Sequence, residues 1–273
     1  MTDVATLLAG SAATRNDARL LLAHVLARDP AWIVAHGDAP VSARHVSEFE
    51  QVSKRRGDGE PIAYITGFAG FYGREFIVNR HVLVPRPETE HLVDEALAFI
   101  RGSMRVLDVG TGCGALACTI AAETNAWVDA TDSSEAALAI ATENACRLGV
   151  SERCRFHLGD LAQPVQGERF DLVIANLPYI PTVDLPKSPE PASFEPCEAL
   201  DGGPDGLRLY RRVIAQLTAL LGNESLLLFE AAPPAIHALE QMVGAAFPRF
   251  RVSVEGDYAG LARYVKGRAP LEA

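Results

Sequence analysis

Several classes of protein are set aside by what this chain lacks. No apolar run approaches the roughly 18 residues that a membrane span requires, and no basic segment followed by an apolar one opens the chain. The expectation is a soluble, cytoplasmic protein with no membrane contact. Cysteine is scarce: Cys113, Cys118, Cys146, Cys154 and Cys197 are an odd set of five without a C-x-x-C pair. That pattern fits reduced thiols better than a disulfide framework or a zinc site. The seven histidines are scattered without ligand spacing, so no metal is expected. Basic charge is short as well, with 25 Lys and Arg against 35 Asp and Glu and a net charge of -10, while residues 1 to 60 are nearly balanced. A protein that grips phosphates needs the opposite excess, so direct nucleic-acid binding is not expected. Internal repeats and low-complexity segments are absent.

What is present is enough apolar sequence, 48% of 273 residues, for a catalytic domain of roughly 190 residues beside a small accessory one. From about Asn16 to Arg56 the pattern is helical, with an apolar block from Leu20 to Leu26 and Val46, Phe49 and Val52 at three-residue spacing. Asn16 is the expected first cap, and Asp29-Pro30 and Gly37 to Pro40 break the pattern. Residues 1–58 thus read as a helical domain. In residues 59–88, aromatic and β-branched residues are punctuated by Gly67, Gly70 and Gly73, which suits a β-hairpin linker. Residues 89–273 alternate strand-like and helical runs: Arg105 to Val109, Ala115 to Ala122, Ala126 to Thr131, Glu135 to Leu148, Arg155 to Leu158, Phe170 to Ala175, Leu207 to Leu221, Ser225 to Glu230, Ile236 to Ala246. Two closing strands fall near Phe250 to Val254 and Ala262 to Val265. Such alternation predicts an α/β fold with a mostly parallel sheet covered on both faces, and ligands at the carboxyl ends of its strands.

Residues 105 to 114 run from a buried strand into Gly110-Thr111-Gly112-Cys113-Gly114 and then a helix. Glycines let a backbone turn tightly and approach a ligand. The spacing is G-x-G-x-G, not the dinucleotide G-x-G-x-x-G, and Asp108 stands two residues before the first glycine. A carboxylate there suits the cationic methionine end of S-adenosylmethionine, directly or through water, and would repel a pyrophosphate. Asp132, ending the next strand, is suited to accept hydrogen bonds from both ribose hydroxyls; alone it would read as a helix cap before Ser133-Ser134-Glu135. Asp160 and Leu161 follow the third strand near the expected adenine, or serve a plain loop cap.

The fourth strand ends in Asn176-Leu177-Pro178-Tyr179. A planar amide nitrogen has a delocalised lone pair, so a methyl acceptor of this kind needs its hydrogens held and its lone pair aimed. The Asn176 side-chain oxygen and the Leu177 carbonyl can take those two hydrogens, and the Tyr179 ring can stack on the amide plane. Asn176 also sits beside the cofactor loop. Arg86, Glu88 and Glu90 either shape the pocket or begin a helix, and Lys54-Arg55-Arg56 is a solvated helix end or a docking patch.

With these residues in hand, the chain resembles the bacterial release factor glutamine methyltransferases, the HemK/PrmC family. The likeness is carried by Gly59 to Gly67 (GEPIAYITG), Val84 to Glu90 (VPRPETE), the glycine loop, Asn176 to Tyr179, Glu195-Pro196, Ala199 to Gly203 (ALDGG) and Asp205 to Leu207. The resemblance implies a class I methyltransferase fold, Rossmann-like, whose mostly parallel seven-stranded sheet carries a small N-terminal helical domain that docks the substrate. It implies S-adenosylmethionine as cofactor and peptide chain release factors as partners. Methylation would fall on the side-chain amide nitrogen of the glutamine in their Gly-Gly-Gln motif, with Asn176, Pro178 and Tyr179 as the catalytic set. Two departures stand out. The family's usual Asn-Pro-Pro-Tyr is here Asn-Leu-Pro-Tyr, and Phe229 to Pro234 replaces a Glu-then-Gly segment, so no role is carried over there. The residues leave open a ribosomal protein glutamine or a nucleic-acid exocyclic amine as acceptor, and a non-catalytic cofactor-binding protein.

Overall fold

The computed structural model describes residues 2–257 and 260–270. It divides into two compact units: residues up to Phe68 with Pro186–Phe194, and Ala69–Leu185 with the chain from Glu195 onward.

The first unit is built from α1 (Val4–Ala9), α2 (Arg15–Leu26), α3 (Pro30–Ala35), α4 (Ala43–Gly57) and α5 (Ile62–Thr66). Each longer helix starts where a side chain satisfies a free backbone amide: Thr14 accepts from Asp17 N at α2, and Ser42 from His45 N at α4. The cap of α2 is thus Thr14, and the expected cap, Asn16, lies within the helix, because Thr14 alone keeps extended backbone. Leu21, Leu22, Ile33 and Phe49 bury together with Val4 from α1, a helix the spacing did not predict. In the charged end of α4, Arg56 pairs with Asp17 at 2.7 Å and Arg55 with Glu60 at 2.6 Å. Two of the three cations are therefore held within the unit, which weighs against a docking patch.

A hairpin, β1 (Phe68–Phe71) and β2 (Arg74–Ile77), leads into the second unit. The 59–88 stretch expected as a hairpin alone also contains α5 and a 3-10 turn at Pro87–Thr89. Then come α6 (Glu90–Phe99), β3 (Arg105–Val109), α7 (Ala115–Glu123), β4 (Trp127–Asp132), α8 (Glu135–Arg147), β5 (Cys154–Leu158) and β6 (Phe170–Ala175). The chain continues through β7 (Ile180–Pro181), β8 (Asp201–Gly203), α9 (Arg208–Leu217), β9 (Leu221–Glu230), α10 (Ile236–Ala246), β10 (Arg251–Gly256) and β11 (Ala262–Arg268). Seven strands form one sheet in the order β10-β11-β9-β6-β3-β4-β5. β9, β6, β3, β4 and β5 run parallel, while β11 lies antiparallel to both β9 and β10. Interior strands are apolar because both faces are covered: Leu107, Val109, Val173, Ala175, Leu227 and Phe229 pack with α9 and α10 residues such as Tyr210, Val213, Ile236 and Leu239. The helix expected to reach Leu221 stops at Leu217, and β9 begins at Leu221 instead of Ser225, since these leucines serve the sheet. Among the described residues no helix is long and apolar enough to cross a membrane.

The chain order reverses between β3 and β6: β4 and β5 lie to one side of β3, and β6 and β9 to the other. A crevice opens at the carboxyl ends of such strands.

Candidate active site

At that crevice lies a cleft of about 1080 Å³, part of it open to solvent, lined by Gly110, Thr111, Gly112, Cys113, Asp132, Asp160, Leu161, Asn176, Leu177 and Pro178 among others. The two motifs read from the sequence thus share one wall. Three loop amides are already committed to β4: Gly110 N and Thr111 N both donate to Thr131 O, at 2.8 and 3.0 Å, and Gly112 N donates to Asp132 Oδ2 at 2.9 Å. These amides are not left to cradle a phosphate. Gly112 has φ +56°, and a Cβ built on it would meet no protein atom within 4 Å, so it would protrude into the cleft.

Beneath the loop, Asn144 of α8 donates to Cys113 O (2.9 Å) and exchanges hydrogen bonds with both backbone polar groups of Ile77. One buried amide therefore ties β2, α8 and the glycine loop. Spacing along the chain gave no sign of it, because its partners are 31 and 67 residues away.

Two of the expected cofactor residues, and Tyr179 of the acceptor motif, have other surroundings than the sequence suggested. Asp108 is buried behind the loop and is not on the cleft wall. Its Oδ2 accepts from Thr111 Oγ1 at 2.6 Å, its Oδ1 has no hydrogen-bond partner among the described residues, and burial holds its acid up to about 7. On the sheet it is paired with Ala130 and Ile174 of the neighbouring strands, and its carboxylate braces Thr111. Gly114 is also set back: with φ +81°, its Cβ would fall 3.1 Å from Ala141 Cβ and 3.2 Å from Cys118 Sγ, so glycine is needed there for helix packing. Tyr179 is half-buried off the cleft wall, its hydroxyl donating to Glu230 Oε1 at 3.3 Å.

Asp132 does stand on the wall. Its Oδ1 accepts from Ser134 N at 2.9 Å, while the cap of α8 is Ser134, which accepts from Ala137 N. Burial raises its pKa above the ordinary carboxyl value against the pull of the hydrogen bonds from these backbone amides. Asp160 also lines the cleft and is ion-paired with Arg212, and Leu161 beside it is buried with φ +53°. Burial pushes the Cys113 thiol up to about 12, so it lines the wall as an inert apolar group.

At the tip of β6, Asn176 Nδ2 donates to Thr89 Oγ1 at 2.9 Å. Leu177 N donates to Tyr210 Oη at 3.1 Å, and the same hydroxyl donates to Glu230 O. Tyr210, buried on α9, thereby spans from the acceptor motif to the end of β9. The Leu177 side chain reaches the glycine loop: a Cβ on Gly110 would lie 2.8 Å from Leu177 Cδ2. Glu230, to which no role was assigned, is buried beside this motif. Its Oε2 has no hydrogen-bond partner among the described residues, and burial pushes its acid up to about 7 against the opposing pull of Thr89, Tyr179 and Arg263. On the cleft rim, Glu195 accepts from Arg86 Nη2 (2.5 Å) and Val84 N (3.3 Å), pinning the segment before α6 to the segment before β8. Arg86 serves that pin, and Glu90 accepts from Tyr72 N at 2.7 Å.

The seven-stranded order with a glycine-lined cleft at its switch point is that of a class I methyltransferase. A wall with an acid at the end of β4, loop amides already paired and open space over Gly112 fits S-adenosylmethionine. Residues 3–67 match the family described as the PrmC N-terminal domain, and residues 100–220 a methyltransferase domain. The release factor glutamine methyltransferase of Cereibacter sphaeroides is 41% identical over 264 residues, 96% of this chain and 94% of its own length. That of Bordetella pertussis is 43% identical over 216 residues (78% and 80%), and that of Bacillus subtilis 35% over 260 residues (92% and 90%). Among solved structures, a methyltransferase from Pyrococcus furiosus aligns with a TM-score of 0.57 at 17% identity, over 80% of this chain and 100% of that one; this shows the fold alone. The chain belongs to the release factor glutamine methyltransferase family and is an S-adenosylmethionine-dependent methyltransferase.

Proposed function

We propose that the chain methylates the side-chain amide nitrogen of the glutamine in the Gly-Gly-Gln motif of peptide chain release factors, in the cytoplasm. The reading is carried by one observation. Asn176 lies on the same cleft wall as the glycine loop, and its Nδ2 is spent on Thr89, which leaves Oδ1 as an acceptor. Relatives across most of the chain bear the name of this activity.

Bound S-adenosylmethionine supplies a methyl carbon on a sulfonium. Asp132 would hold the ribose hydroxyls with lone pairs its two amide bonds leave over, Gly112 and Leu161 would line the nucleoside, and Asp160 would border the adenine. Asn176 Oδ1 and the Leu177 carbonyl would accept the two amide hydrogens and turn the nitrogen lone pair toward the methyl. Pro178, on the cleft wall, would bound the amide plane, and Tyr179, set behind it, would be steadied by its bond to Glu230. The amide nitrogen becomes acidic only as its new bond forms, so its surplus proton can leave to water without a strong base.

The test is incubation of the purified protein with labelled cofactor and purified release factors, with the modified residue located by mass spectrometry. Asn176→Ala should abolish methylation while cofactor affinity stays within about twofold, because Asn176 acts on the acceptor. Normal turnover in that variant would refute the assignment.

A further inference from the structure

We propose that Tyr210 is a positioning residue for methyl transfer: its buried hydroxyl holds the Asn176–Leu177 peptide so that both oxygens of the acceptor motif meet one substrate amide. This deepens the reading of Asn176 and Leu177 given above and rests on it. The two hydrogens of a primary amide lie in one plane and point apart, so a pair of oxygens that takes both must keep a fixed separation and direction. Here the pair, Asn176 Oδ1 and the Leu177 carbonyl, hangs from adjacent residues. The backbone rotations that turn one against the other are ψ of Asn176 and φ of Leu177, which flank a single rigid peptide plane. A leucine leaves that φ free, where a proline ring would fix it. Something outside the motif has to hold the plane.

The Tyr210 hydroxyl is placed to do so. Leu177 N donates to Tyr210 Oη at 3.1 Å, and the same hydroxyl donates to Glu230 O. Neither direction is open to choice, because an N–H only donates and a carbonyl only accepts. Tyr210 is fully buried, and its ring lies 5.3 Å from that of Phe229 on β9. A seated side chain on α9 thus delivers the hydroxyl to the tip of β6 and ties it to the end of β9. The side chains of the motif are held separately: Asn176 Nδ2 by Thr89 Oγ1 at 2.9 Å, and Leu177 by burial against the glycine loop. Tyr210 anchors the peptide between them.

Tyr210→Phe keeps the ring beside Phe229 and removes the hydroxyl. With purified release factor and saturating cofactor, it should lower kcat by about 5- to 10-fold, the rate equivalent of one buried neutral hydrogen bond. Cofactor affinity by calorimetry should stay within about twofold, because the wall formed by the glycine loop and Asp132 is unchanged. Leu177→Pro then asks whether the hydroxyl acts through the peptide. The ring fixes φ without a hydrogen bond, so adding Leu177→Pro to Tyr210→Phe should recover kcat to within about threefold of native. A loss of packing could not be mended in this way, since the same substitution withdraws the Leu177 side chain from over Gly110. Thermal unfolding of the same samples checks that each rate is that of folded protein.

Native kcat in Tyr210→Phe overturns the proposal if Asn176→Ala is inactive. If Asn176→Ala turns over normally, it is the reading of the acceptor motif that fails. A slow Tyr210→Phe enzyme that Leu177→Pro does not speed up would put the effect of the hydroxyl outside the Leu177 peptide and overturn the proposal. A cofactor affinity that falls along with kcat in Tyr210→Phe would overturn it as well.

Discussion

Replacing Leu177 by proline, the residue usual at that place in the Asn-Pro-Pro-Tyr motif, should weaken this protein. Proline has no N–H, so Tyr210 Oη would lose the bond it accepts at 3.1 Å. A buried neutral hydrogen bond of this kind contributes about 1 kcal/mol. The shorter ring would also withdraw the methyl group that packs over Gly110, a further loss of about 1 kcal/mol for a buried methyl group and the gap it leaves. Against this, proline stiffens the unfolded chain, an offset of about 0.5 kcal/mol. The net expectation is a destabilisation of about 1–2 kcal/mol, read as a fall of roughly 2–8 °C in the midpoint of thermal unfolding. The assay is a double-mutant cycle with Tyr210→Phe, which removes the hydroxyl while keeping the ring. If the two residues act through one hydrogen bond, Leu177→Pro should cost less in the Tyr210→Phe background than in the native one. Equal costs in both backgrounds, or a raised midpoint for Leu177→Pro alone, would refute the reasoning.

Asp132→Ala should weaken cofactor binding by about 10- to 100-fold, since it removes the carboxylate from the wall and leaves Gly112 N and Ser134 N unpaired; an unchanged dissociation constant in calorimetry would count against the ribose role. Arg86→Ala strands the buried Glu195 carboxylate, and should destabilise the fold by about 3 kcal/mol near neutral pH. Burial already raises the Glu195 acid above its ordinary range while Arg86 and the Val84 amide pull it down. Removing Arg86 raises it further, so the folded form then favours a proton that the unfolded chain gives up. The penalty should therefore be small below the unfolded carboxyl range and grow as pH rises toward 8. Chemical unfolding at pH 5 and pH 8 checks this, and a penalty larger at pH 5 would contradict it.

How much was legible in the sequence depended on how local each signal is. The glycine loop and the tip of β6 were readable because each is a short run whose own backbone makes the site: Gly112 must leave space, and Asn176 follows directly from a buried strand. Residues that act across the fold were not. Thr89, Asn144, Glu195, Tyr210 and Glu230 are brought to the site by topology, and each looks ordinary in its own segment. Thr89 lies inside the Pro-Arg-Pro-Glu-Thr-Glu run, where its charged neighbours carry the stronger local signal. Asp108 and Gly114 belong to that loop, but their burial was not legible. The sequence pattern marks a buried carboxylate and a required glycine, and only the packing of Thr111 and Ala141 reveals that both face inward. At the end of α9 a row of leucines reads equally as helix or strand, and pairing with β6 decided for the strand.

The excursion of Pro186–Phe194 into the first unit has a practical consequence. Gly59, at φ +100°, passes so close to Pro189 that a Cβ there would fall 2.0 Å from its carbonyl oxygen, which makes the excursion a seated part of the helical unit. A protease cut or gene truncation after residue 68 would therefore not yield two self-contained proteins. The helical piece would be missing a strap of its own wall, and the remaining piece would carry that strap as a loose loop.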